Sequence, residues 1–156
     1  MEAVPGVQEA MLSALRKLIT GAGAKLGAAA RTKASAALLE LCADDNADVR
    51  ERAGGALGPL LAHLPEGESA ALLENELLPQ SPDADAWQQA HGCMHAVSAA
   101  LGFAPSAAVV LGALGKDAVV ARVLRCMGDD KAAVSFSAAP FFLTFFLSFL
   151  SFLLFR

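Results

Sequence analysis

The sequence predicts an all-α fold, an α-solenoid of about three helical hairpins, on three observations. Ala fills 34 of the 156 positions and the apolar fraction is 55%; Ala and Leu are strong helix formers, and the β-branched residues that favour strands are few. Apolar residues recur at helical spacing along the chain. An acidic turn recurs with them: Asp44-Asp45-Asn46-Ala47-Asp48-Val49 matches Asp129-Asp130-Lys131-Ala132-Ala133-Val134 at an offset of 85 residues, with Asp83-Ala84-Asp85-Ala86-Trp87 midway. Two periods of about 40 residues suit stacked helix pairs, each unable to bury its apolar face alone.

In chain order, Val7, Met11, Ala14 and Leu18 form one apolar stripe and Val49, Ala53, Ala56 and Leu60 a second. Trp87, Ala90, Met94, Val97 and Leu101 make a third, and Val120, Leu124 and Met127 a fourth. Between them lie Gly-, Pro- and Asp-rich breaks at 21–27, 43–46, 64–67, 79–85, 102–105 and 128–131. The aspartates of the acidic turns, Asp45, Asp85 and Asp130, are expected to cap the second helix of each pair, where carboxylates meet unpaired N–H groups and the positive end of the helix dipole. Asp85 with Gln88 has the spacing of a capping box.

Composition excludes several classes. Three cysteines, Cys42, Cys93 and Cys126, are odd in number and far apart, which suits buried thiols in a reducing compartment and not a disulfide scaffold. A net charge of −4 lacks the basic footprint of a nucleic-acid binder. Residues 1–8 have neither the cationic start nor the apolar stretch of a secretion signal, so the expected location is cytoplasmic. Charge is uneven: residues 53–115 carry six acids and no Lys or Arg, whereas residues 1–52 hold Arg16, Lys17, Lys25, Arg31, Lys33, Arg50 and Arg52. Such asymmetry steers a partner, or marks no more than a solvated face.

No chemistry-bearing constellation emerges. His91 and His95 share a helical face at i, i+4, but Cys93 points elsewhere and no further ligand stands at suitable spacing, so no metal is expected. Gly21, Gly23 and Gly27 lack the preceding strand of a phosphate-binding loop. No catalytic residues and no cofactor are assigned; the chain reads as a non-enzyme.

Asp45…Val49-Arg50…Ala53…Ala56-Leu57-Gly58 looks like the HEAT-repeat signature. With Leu15-Arg16…Ile19-Thr20-Gly21-Ala22-Gly23-Ala24-Lys25, Ala53-Gly54-Gly55-Ala56-Leu57-Gly58, Leu72-Leu73-Glu74…Leu77-Leu78, Trp87…His91-Gly92 and Ala104-Pro105, residues 8–135 resemble the C-terminal HEAT region of the translational activators of general amino-acid control. These are very long ribosome-associated scaffolds that activate the kinase of initiation factor 2-alpha. The resemblance implies a protein-binding segment whose partners are the ribosome and the kinase's N-terminal RWD domain, with an arginine important for the latter. Arg50 stands at the matching turn-to-helix position, flanked by Asp48 and Arg52, which makes these three the candidate partner-binding residues. A HEAT arginine at this place also commonly bonds the neighbouring repeat's Asp, so Arg50 is open to a structural reading or a contact reading. Trp87, His91 and Gly92 are expected to pack. The alternative is a generic HEAT adaptor with another client.

The pattern changes at 136. Eight of nine Phe residues fall in 136–156, and residues 141–155 carry no charge. We therefore divide the chain into a HEAT segment, 1–135, and an apolar Phe/Leu/Ser tail, 136–156. Twenty helical residues would span about 30 Å, so a membrane anchor is one reading of the tail. Alternatively it is a translated intron, since from Pro140 to Phe155 every residue but Thr144 is Pro, Phe, Leu or Ser, which all have all-pyrimidine codons. A third reading is a buried or amphipathic cap.

Overall fold

The computed structural model describes residues 5–78 and 86–127. Among them are seven α-helices and no strand: α1 (Pro5–Ala22), α2 (Ala28–Leu41), α3 (Ala47–Leu60), α4 (Glu66–Leu72), α5 (Trp87–Leu101), α6 (Ala104–Leu114) and α7 (Lys116–Met127). Single 3-10 turns follow α1 and α3, and a π-helical turn at Leu73–Leu77 extends α4. The fold is the all-α solenoid read from the sequence. Asp85, Asp130 and the segment 136–156 lie outside the described residues.

α1, α3 and α5 lie side by side as one layer, and α2, the α4 segment and α6 pack behind them. α3 is the centre of this arrangement. From Val49 to Leu60 every residue except Glu51 and Arg52 is buried, because α1 covers one side of the helix, α5 the other and α2 its back. The expected stripe Val49, Ala53, Ala56 and Leu60 is fully inside. On α5, Met94, Val97, Ala96 and Ala100 are buried against it.

Small residues set the α3–α5 distance. A Cβ added at Gly54 would fall 2.8 Å from the backbone nitrogen of Ala96, and one at Gly58 2.6 Å from that of Ala100. Gly92 repeats the device at the end of α2, where a Cβ would meet the Cα of Cys42 at 2.7 Å. Backbones touch here with no side chain between them, so the position of α5 is fixed by main-chain atoms. Pro59, in the last turn of α3, has no N–H to offer the carbonyl four residues back, and Ser106 Oγ of α6 donates to the Pro59 carbonyl at 3.2 Å.

Two expected stripes need correction. On α1 the buried residues are Leu12 and Ile19, with Leu15 partly covered, whereas Val7, Met11 and Leu18 are 55%, 67% and 50% exposed. On α7 the buried residues are Val119 and Val123, and Leu124 is 48% exposed. In both helices the apolar arc is wider than one stripe, and the neighbouring layer takes the edge one residue, about 100°, away from the predicted one. α6 and α7 are separated by Gly115 alone, at φ +75°, a conformation that glycine adopts without the strain of a Cβ.

Candidate interaction surface

The turn between α2 and α3 is built by local hydrogen bonds. Asp44 Oδ1 accepts from the Asn46 N–H at 2.8 Å, and Asn46 Oδ1 accepts from the Asp48 N–H at 2.9 Å. Asn46 is therefore the N-cap, not the expected Asp45, whose part in the turn is its carbonyl. An amide oxygen caps as well as a carboxylate, and the extended backbone at residue 46 (φ −80°, ψ 120°) suits the position. Asp48 stands exposed in the first turn of α3, favourably placed against the helix dipole.

Arg50 closes the turn from behind. It is 3% exposed. Its Nη1 donates to the carbonyls of Asp44 at 2.7 Å and Asp45 at 2.9 Å, and its Nε donates to His91 Nδ1 at 3.2 Å. Its guanidinium lies 5.2 Å from the ring centre of Trp87. Its donors face inward, tying its own turn to α5. The bonds go to main-chain carbonyls and a histidine, not to an aspartate carboxylate. Trp87, His91 and Gly92 meet at this same junction.

His91 is held neutral. Burial, then the nearby His95, then Arg50 lower its pKa from 6.5 to about 4, which fits a ring whose Nδ1 is an acceptor. His95, with its ring centre 4.8 Å from that of His91, is also shifted down by burial, while Glu51 pulls the other way. No group of three or more His, Cys, Asp or Glu side chains able to hold a metal occurs among the described residues. Burial pushes the Cys42 thiol up to about 12.

Arg52 points outward. Its side chain is 43% exposed, pairs with Glu9 of α1 at 3.1 Å and donates to Ser13 Oγ at 2.9 Å. Leu12, Ser13, Arg16, Asp48, Glu51 and Arg52 line a cleft of about 180 Å³ between α1 and α3. Arg16 and Glu51 continue into a wider groove of about 400 Å³ that passes Gly55, Pro59, His95 and Phe103. Gly55 leaves room for the Arg16 guanidinium, whose Nη1 would lie 3.3 Å from an added Cβ. Of the three candidate residues, Asp48 and Arg52 thus share one face and Arg50 lies beneath it. Sequence reasoning alone does not bring Arg16, Glu51 and His95 to this face. The spacing of Arg16 and Glu51 on their helices held the signal, but only the α1–α3 packing brings them together.

Side-by-side inner helices, an acidic turn and a buried arginine behind it define a HEAT-repeat array. The family model described as "Stalled ribosome sensor GCN1-like, HEAT repeats" matches residues 2–151, and the chain belongs to that family. The chain is similar to the Homo sapiens protein Stalled ribosome sensor GCN1, with 41% identity over 101 residues, and to its Mus musculus counterpart, with 38% over 102 residues. Each alignment covers 65% of this chain and 4% of the relative. No solved structure matches. Among the described residues no single helix is long and apolar enough to cross a membrane.

Proposed function

We propose that this chain is a non-enzymatic docking segment of a ribosome-associated cytoplasmic scaffold, and that it binds the RWD domain of the initiation-factor-2-alpha kinase. The observation that carries the reading is the family match over residues 2–151, since the relatives are named as sensors of stalled ribosomes. Docking is the work of the α1–α3 face. Arg52 and Asp48 present opposite charges at its rim, and Arg16 and Glu51 extend it towards α5. Mixed charge at a rim gives orientation and association rate more than raw affinity.

The test is a binding titration of the full chain against the isolated RWD domain, with Arg52→Glu and Asp48→Lys beside the wild type. Each charge reversal is expected to weaken binding about tenfold or more, the loss of about 1.4 kcal/mol, with helicity unchanged. Failure of the wild-type chain to bind would reject the kinase domain as partner. Equal binding by both variants would move the contact off this face.

A further inference from the structure

We propose that the apolar tail caps this chain's own body, with Phe142, Phe146, Phe149 and Leu153 seated in a groove between α4 and α6. The inference is independent of the kinase-domain reading. α6 contains no charged residue, yet Ala108, Leu111, Gly112 and Ala113 stand exposed on it. A surface helix ordinarily turns a polar face to water, and a helix apolar all round is a buried one. Along this face runs a groove of about 420 Å³, lined by Leu64, Ser69 and Ala70 on the α4 side and by Ala108, Val109 and Gly112 on the α6 side. No charged side chain lines it, and a Cβ added at Gly112 would meet nothing within 4 Å. Its small lining residues leave room for large apolar side chains.

The chain's own tail has the matching pattern. Residues 141–155 carry no charge, and at helical spacing Thr144, Ser148 and Ser151 share one face while Phe142, Phe146, Phe149 and Leu153 share the opposite one. That apolar row covers about 17 Å as a helix, against about 16 Å for α6. The hydroxyl row is what a surface helix presents to water. Reach is sufficient. α7 carries Met127 about 18 Å from Gly115, the residue that follows α6, and residues 128–140 extend over up to about 43 Å. The family match runs to residue 151, so most of the uncharged segment falls within the helical-repeat match, which favours a cap over a membrane anchor.

The experiment uses the full chain with Leu111→p-benzoylphenylalanine, a photo-reactive group at the edge of the groove. Irradiation is expected to cross-link it to peptides from 141–155 of the same molecule. Cross-links between two copies, or none to the tail, would overturn the inference. Vesicles of phosphatidylcholine and phosphatidylserine should leave these cross-links in place; their loss as the chain floats with the vesicles would overturn the cap in favour of an anchor. Limited chymotrypsin digestion gives a second readout. Ala108→Glu puts a carboxylate in the groove and is expected to speed cleavage after Phe146 and Phe149 about tenfold, because cleavage follows the population of the open form. Ala37→Glu, at an exposed position of α2, is expected to leave the wild-type rate. Tail cleavage as slow in Ala108→Glu as in wild type, or equally fast in both variants, would overturn the inference.

Discussion

Arg50 donates its Nε–H to His91 Nδ1 at 3.2 Å, so a permanently charged side chain leans on an imidazole that must stay neutral to receive it. Protonating His91 would replace an acceptor with a donor and set two cations against each other.

Stability is therefore expected to depend on pH in one window. The folded pKa of His91 lies near 4 against an ordinary 6.5, so between these values the unfolded chain binds a proton that the folded chain refuses. By linkage, stability is fully present above about 6.5 and is lost as pH falls towards about 4. The thermal midpoint measured from pH 7.5 to 4 should fall across this window, and histidine NMR should show His91 still neutral at pH 5.5. A midpoint that is flat there, with His91 titrating near 6.5, would refute the expectation.

The backbone contact between α3 and α5 predicts a sharp contrast among glycines. Gly54→Ala and Gly58→Ala should each cost about 3 kcal/mol, the upper end for overpacking, since the obstructing atoms are main chain. Gly112→Ala, with nothing within 4 Å of the added Cβ, should stabilise α6 by about 0.5 kcal/mol. Urea midpoints of the three variants check both signs.

Asn46→Ala removes the side-chain acceptor of the Asp48 N–H at the start of α3 and should destabilise by about 1 kcal/mol. Asp45→Ala should cost much less, since that residue serves through its carbonyl. Denaturation of the two variants side by side separates amide capping from carboxylate capping.

Cys42 should resist alkylation in the native chain. It is fully buried and its thiol pKa stands near 12, which leaves almost no thiolate at neutral pH. Peptide mapping after iodoacetamide treatment, with and without denaturant, reads the difference at this residue.

The helical class and the breaks were legible because composition and punctuation act locally: the gaps at 21–27, 43–46 and 102–105 all separate observed helices. Val49 to Leu60 was legible as well, since a helix covered on several sides buries any stripe drawn on it. α1 and α7 were not. Each offers two adjacent apolar edges, and the choice between Met11 and Leu12, or Leu124 and Val123, is made by the neighbouring helix. Arg50 shows the same limit at the candidate site. Its position beside the acidic turn could be read from Asp45…Arg50, but whether its donors turn in or out depends on His91 and Trp87, about forty residues away. The capping residue was misassigned for a smaller reason, since three polar residues in a row compete for one role and backbone conformation selects Asn46.

The glycine contacts also decide how the array yields under load. Interfaces filled with long side chains are compliant, because rotamers shift before main chains do; an interface of main chain on main chain has no such filler. α3 and α5 should accordingly move as one stiff plate. Strain arriving from either end would then collect at the softer joints, where Arg52 and Glu9 bridge α1 to α3 and where Gly115 alone separates α6 from α7. A spring assembled in this way bends at its hinges and keeps its middle coil rigid.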